Sequence, residues 1–207
     1  MKIVFFPYNG NSIEGFDNLK VDQTAVAFVD DSEEYKGKSY CDIPILTREE
    51  VKSRFSDIKW VASPGSPESY FKRKDIIGSL SLEPKDFTQV ISPNAFVGKN
   101  TILGFNLIIM AGCVVASNAQ IGNHVLVLPN TVIHHDSNIG DYSIIGSNVS
   151  VAGNVQIGEN VYIGSGTRIK NGIIIGEGAL IGMGSNVLKD VKSGEVIVGN
   201  PGKPLYK

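Results

Sequence analysis

Only three histidines occur in the 207 residues, and two are adjacent, in the run Val132-Ile133-His134-His135-Asp136-Ser137. An imidazole with a pKa near 6.5 can take a proton at neutral pH and give it up in the next step, which suits it to general base work. Neighbouring side chains on an extended segment point opposite ways. One of His134 and His135 is therefore expected to face a site, and their order alone does not choose between them. His124 stands apart and is expected to be structural.

The elements that would position this pair are written into the sequence as a repeat. Every sixth residue from Ile91 to Val187 is Ile, Val or Leu, seventeen positions without a break. The next residue is Gly in nine of the seventeen, as at Gly98, Gly122, Gly140 and Gly158. Small or β-branched residues such as Thr131, Ser143 and Thr167 recur four places after the aliphatic. A period of six fits neither a 3.6-residue helix nor a simple alternating strand. It fits short strands joined by corners, each strand turning one aliphatic inward, with Gly expected to accommodate the corner backbone. Parallel coils would then stack about 4.8 Å apart.

This pattern resembles the hexapeptide repeat of the left-handed parallel β-helix acyltransferases. The resemblance runs from about residue 91 to Pro204. It implies three hexads per coil, hence 18 residues per turn, and a trimeric enzyme rather than a scaffold. An 18-residue turn places Gly153 beside His135 on the next coil. By the same resemblance His135 is the general base, Asp136 its orienting acid, and Gly153 the donor of an N–H to the acetyl oxygen. His134 falls where the family often carries an acid or another His. Amide formation from acetyl-CoA needs those parts: a base for the amine's proton and a fixed N–H where the thioester oxygen gains charge. The resemblance also implies backbone contacts to the pantetheine around Ser165, Gly166, Met183 and Gly184. The closing run Val198-Gly199-Asn200-Pro201-Gly202-Lys203-Pro204 resembles the segment that borders the adenine end of CoA, with Pro201 and Lys203 as its contacts. A zinc enzyme of the γ-carbonic-anhydrase type uses the same helix. It needs a His pair four residues apart and a third far upstream, which His124, His134 and His135 do not supply.

Residues 1–84 carry no hexads. Lys2–Tyr8, Thr24–Asp30 and Ile58–Ser63 read as strands. Thr47-Arg48-Glu49-Glu50 is a capping box that opens a helix, and Ser66-Pro67-Glu68 is expected to start another. Alternating strands and helices imply a small βαβ domain with a parallel sheet, followed from residue 85 to 207 by the β-helix domain. Ligands of such sheets sit at the carboxyl ends of the strands, here Asn9-Gly10-Asn11-Ser12 and Asp30-Asp31. Backbone N–H groups of the first turn suit a diphosphate, and an acid after the second strand suits a ribose or base. A βαβ domain before a hexapeptide helix resembles the bacterial nucleotide-sugar N-acetyltransferases that act on 4-amino sugars, together with their sialic-acid O-acetyltransferase relatives. That resemblance implies a nucleotide-linked amino sugar as acceptor, for surface polysaccharide or glycan synthesis, with O-acetylation of a sugar hydroxyl as the alternative. Asp30-Asp31 matches a nucleotide-contacting position, whereas Asn9–Ser12 departs from the family's more Gly-rich turn.

Composition bounds these expectations. A 42% apolar chain can build a core. The net charge of −2 argues against nucleic acid or an anionic membrane as partner. No apolar run approaches a membrane span, and the short one at Lys2–Phe6 is ended by Pro7. Two cysteines, Cys41 and Cys113, make no disulfide framework. A cytoplasmic enzyme with acetyl-CoA as cosubstrate and no metal is expected.

Overall fold

In a computed structural model that describes residues 1–205, the seventeen aliphatics each sit on a two-residue strand, from Val90–Ile91 to Asn186–Val187. These strands form the three faces of a prism. The first face carries the strands at Ile108, Leu126, Ile144 and Tyr162, the second those at Val114, Val132, Ser150 and Arg168, and the third those at Gln120, Asn138, Gln156 and Ile174. All pair in parallel with a constant offset, Val114 beside Val132 and Val132 beside Ser150. The offset is 18 residues, as the resemblance implies. The last turn is shorter, because Leu180 pairs with Val196 and Ile181 with Ile197. A final strand, Lys203–Pro204, folds back antiparallel on Val196–Val198 and closes that end.

Inward aliphatics from Ile109 to Ile197 form one continuous buried column. At the first coil Ile91, Val97 and Leu103 are only partly buried, since no coil lies beneath them. Small residues at the fifth place of the hexad face inward and bind backbone: Ser137 Oγ donates to the Ala152 carbonyl at 2.9 Å and accepts from Val155 N–H at 3.2 Å.

The glycines serve a different purpose from the one expected. Left-handed backbone falls two residues after the glycine position, at fifteen consecutive sites six apart from Asn100 to Gly184. Asn fills seven of them and Gly five, and Asn tolerates this region better than other side chains. The glycines that follow nine of the aliphatics instead lie against the next coil. A Cβ on Gly140 would stand 2.4 Å from the Gly158 carbonyl carbon, and one on Gly98 would stand 2.6 Å from Ser117 N. Close stacking of backbone on backbone, not φ, demands glycine there.

The preceding α/β layer holds β1 (Lys2–Phe6), α1 (Gly10–Phe16), β2 (Thr24–Val29), β3 (Ser39–Tyr40), β4 (Ile43–Leu46), α2 (Arg48–Arg54), β5 (Ile58–Ala62) and α3 (Arg73–Gly78). The sheet order is β3-β4-β2-β1-β5, parallel except for the edge hairpin β3–β4. The capping box opens α2, with Thr47 and Glu50 bonding each other's backbone N–H. No helix begins at Ser66. Ser66, Glu68 and Ser69 hydrogen-bond among themselves in a turn, and α3 starts only at Arg73. The β3–β4 hairpin turns through Cys41 and Asp42, both at positive φ, a pair that carries no Asn-Gly signature.

One face of this sheet packs on the first face of the prism. Ile3, Phe5, Phe28 and Val61 share a core with the outward residues Ile108, Leu126 and Ile144. The adjoining edge carries a polar lock. Asn106 bonds both backbone groups of Ala62 (2.7 and 3.0 Å) and lies 2.8 Å from His124 Nδ1. The His124 ring stacks on Tyr142 and meets Phe87 and Phe105 edge-on. Arg73, buried, donates to the carbonyls of Pro64, His124 and Tyr142. Burial pushes the His124 imidazole down to about 4, the Arg73 cation adds to this, and Asp141 opposes it. The unfolded ring titrates near 6.5, so the stability this group contributes is complete above that pH and is lost as pH falls toward about 4. A shift of that size corresponds to roughly 3 kcal/mol. Urea midpoints at neutral and mildly acidic pH should therefore fall more steeply for the native chain than for His124→Gln, and equal slopes would contradict this role.

Candidate active site

His135 and Gly153 lie on the edge between the second and third faces. The strand Val132–Ile133 ends with His134 N–H bound to the Val151 carbonyl at 2.9 Å, and the chain turns at His135 and Asp136, the latter at φ 60°. His135 Nδ1 lies 2.6 Å from Asp136 Oδ2. The second carboxylate oxygen, Oδ1, accepts from Asn118 Nδ2 at 3.0 Å. The bond from His135, followed by that from Asn118, holds the Asp136 carboxyl below its ordinary value. It is ionised at neutral pH, and an ionised carboxylate only accepts. Nδ1 of His135 therefore carries a proton, and in the neutral ring the lone pair is on Nε2.

That nitrogen faces Gly153. A Cβ placed on Gly153 would stand 2.9 Å from both Nε2 and Cε1 of the ring. The Gly153 carbonyl is held from the following coil by Asn171 Nδ2 at 2.5 Å and Gly172 N–H at 3.1 Å. Its N–H donates to no acceptor among the described residues. A base with a free lone pair and an unused backbone donor thus stand side by side, on a surface where both His135 and Asp136 are about half exposed. The His134 side chain makes no hydrogen bond among the described residues and takes no part in this arrangement.

The other expected contacts form two further groups. Ser165, Gly166, Met183 and Gly184 stack on the edge between the first and second faces. Ser165 Oγ accepts from Ser147 N–H at 3.1 Å, Gly166 and Gly184 both have positive φ, and Met183 is largely exposed. The closing strap joins the same edge, through Gly199 N–H to Ser185 Oγ and Gly202 N–H to the Asn186 carbonyl, carrying Pro201 and Lys203 with it. This edge is separated from Gly153 by the whole second face.

At the sheet's carboxyl end, the amides of Asn9 and Asn11 donate to the Ser63 carbonyl, and Asn11 also reaches Gly65. Asn9 caps α1 through Ser12 N–H at 2.9 Å. Ser12 is buried, its hydroxyl bound to the Pro7 carbonyl and the Ser63 hydroxyl, so it shapes the loop and presents nothing to a ligand. Gly10 is open, with no atom within 4 Å of its Cβ direction. The two aspartates part company. Asp31 pairs with Arg48 through backbone and guanidinium, while Asp30 Oδ1 accepts from Ser32 N–H at 2.9 Å. Tyr8, Tyr35 and Tyr40 with Phe16 and Phe28 form an aromatic cluster there, which neither a period nor a motif announces. No group of three or more His, Cys, Asp or Glu gathers to hold a metal among the described residues. None of their helices is long and apolar enough to cross a membrane.

A prism of six-residue turns preceded by an α/β layer defines a class, and the repeat itself matches a family. Residues 100–135 and 136–171 match the bacterial transferase hexapeptide (six repeats), so this stretch of the chain consists of hexapeptide-transferase repeats. No curated protein sequence matches the chain. The whole fold is shared with WeeI from Acinetobacter baumannii AYE, at 26% identity over 99% of each chain and a TM-score of 0.82. It is shared too with the acetyltransferase domain of PglB from Neisseria gonorrhoeae FA1090 in complex with acetyl coenzyme A, at 22% identity over 99% of this chain and 98% of that one, TM-score 0.83. PerB from Caulobacter crescentus, in complex with CoA and GDP-perosamine, matches at 20% identity over 99% and 97%, TM-score 0.85. The fold of this chain is accordingly that of the left-handed β-helix acetyltransferases with an N-terminal α/β region.

The tight seat of the ring on Gly153 makes a structural prediction. Gly153→Ala should fold normally, because the obstructing atoms are the far end of a side chain. It should displace the imidazole and loosen its contact with Asp136. Nitrogen-15 NMR of the ring would read this, and an unchanged ring signal would contradict the placement.

Proposed function

We propose that the chain is an acetyl-CoA-dependent N-acetyltransferase whose acceptor is the amine of a nucleotide-linked 4-amino-4,6-dideoxy sugar, made for a surface polysaccharide or glycan. The observation that carries it is the closeness of His135 Nε2, backed by Asp136, to Gly153 with its unused N–H. In this reading the neutral amine attacks the thioester carbonyl while Nε2 takes the amine's proton. Asp136 stabilises the imidazolium, Gly153 N–H faces the oxygen as it gains charge, and the proton passes on to the departing thiolate. The N–C bond forms as the C–S bond breaks, so the transfer balances without a further reactant.

The α/β layer of residues 1–84 would hold the nucleotide, with Gly10 and Asn11 on the phosphates and Asp30 on the ribose or base. The β-helix from residue 85 would hold CoA along Ser165, Gly166, Met183, Gly184, Pro201 and Lys203. These groups do not converge within one protomer. The α/β layer covers the first face of the prism, and His135 lies on the opposite edge. That opposition supports a homotrimer in which a neighbour brings its own ligand-binding edge to His135. The second face offers the apolar row Phe96, Val114 and Val132, exposed or half-buried and leading directly to the His135 corner. Use of acetyl-CoA, together with the free thiols of Cys41 and Cys113, supports a cytoplasmic location.

Thiol release should appear when acetyl-CoA is mixed with one of the UDP-, dTDP- or GDP-linked 4-amino sugars, and not with sugars that offer only hydroxyls. His135→Ala should lower turnover by about 10²–10⁴-fold without loss of folding. Near-normal turnover by that variant would remove His135 as the base. Co-refolding His135→Ala with an Asp30→Ala variant that does not bind the nucleotide should restore part of the activity if sites are shared between copies. No recovery would place each site within one protomer.

A further inference from the structure

The corner column that carries Asp136 begins two coils earlier. Asn100, Asn118 and Asp136 follow at 18-residue steps, all with left-handed backbone, at φ 56°, 63° and 60°. Their side chains form a hydrogen-bonded ladder along the stack. Asn100 Nδ2 donates to Asn118 Oδ1 at 3.5 Å, and Asn118 Nδ2 donates to Asp136 Oδ1 at 3.0 Å. Asp136 Oδ2 then meets His135 Nδ1 at 2.6 Å.

The ladder has one direction. An ionised carboxylate has only acceptors, so Asn118 must turn its NH2 toward Asp136; the reverse placement would set two oxygens against each other. A carboxylate exposed at a corner is otherwise free to rotate away from the ring beside it. Such rotation would release Nδ1–H and let the proton move to Nε2, the nitrogen that faces Gly153. We infer that Asn118 is a positioning residue: it holds Asp136 in the rotamer that keeps the proton on Nδ1 and the lone pair on Nε2 of His135. This rests on the acetyl-transfer reading of His135, and Asn118 itself touches no reacting atom. Other charged groups are few. His134 is next in the chain, the adjacent coils present the neutral Asn118, Gly153 and Asn154, and Lys99 and Lys170 stand two coils away, about 10 Å along the stack.

Asn118→Asp keeps the shape but removes the donor, and Asn118→Ala removes both. The tautomer of His135 can be read by nitrogen-15 NMR of the full-length protein at about pH 8, where an ordinary imidazole is neutral, with the signals assigned from their loss in His135→Ala. The native protein should show the Nδ1–H form, and both variants should show a mixture. With the nucleotide amino sugar that gives thiol release, kcat should fall about tenfold, as for one lost hydrogen bond to a charged group, with KM unchanged. A native tautomer and native kcat in both variants would overturn the role of Asn118 even if His135→Ala is inactive. An active His135→Ala would instead overturn the catalytic reading, while the tautomer alone would still decide whether Asn118 sets the ring.

Discussion

The backbone hydrogen bond from each coil to the one 18 residues later is the constraint from which the rest follows. Val132 N–H binds the Val149 carbonyl, His134 N–H that of Val151, and Asn154 N–H that of His135, each between 2.9 and 3.1 Å. Coils this close leave no room for a Cβ at corners such as Gly98 and Gly140, and they bring side chains of like position into vertical columns. The interior column is aliphatic and supplies the hydrophobic stability. The corner columns are polar, and there the same spacing places chemistry: ring over glycine, amide over carboxylate, amide over carbonyl. A shift by one residue would send the aliphatics outward and dissolve the corner pairs together, so stability and site geometry share a register.

Most of the β-helix was legible because its period is strict. The aliphatic positions follow from counting, and the juxtaposition of His135 with Gly153 follows once the resemblance supplies three hexads per turn. The role of the glycines was misplaced, because a period tells where a residue recurs and not which of its properties is needed. Only the contact between coils separates a demand for positive φ from a demand for no Cβ. Asn118 and Asn171 were within reach of the same count, being Asp136 minus 18 and Gly153 plus 18. They passed unnoticed because an Asn at a corner is expected on conformational grounds alone.

The α/β layer was less legible, for reasons particular to its residues. Pro67 suggested the start of a helix, yet three hydroxyl and carboxylate side chains around it satisfy one another in a turn. β4 contains Pro44 and follows a Cys-Asp turn, and both features mask a strand. Asp30 and Asp31 look equivalent in sequence, but consecutive residues leave a strand end in different directions. One meets Arg48, and the other accepts from Ser32 N–H within its own turn. The junction was invisible too, since Arg73 binds three carbonyls from three segments and no carboxylate among the described residues.

That junction bears on how the two parts can work together. A cation buried without a carboxylate is tolerable only if carbonyl dipoles replace its water, and burial pulls the Arg73 guanidinium to about 9. It is still charged at neutral pH, next to an imidazole that must then remain neutral. The arrangement is rigid because each member satisfies a partner on the other side. Pro64 belongs to the strand-end loop that receives Asn9 and Asn11, and His124 and Tyr142 belong to the β-helix. The strand-end loop of the α/β layer is thereby fixed to an edge of the prism that does not carry His135. Hinge motion within a protomer would have to break this lock and still could not carry the loop around to the opposite edge. Within one protomer the strand-end loop and His135 therefore stay on different edges of the prism.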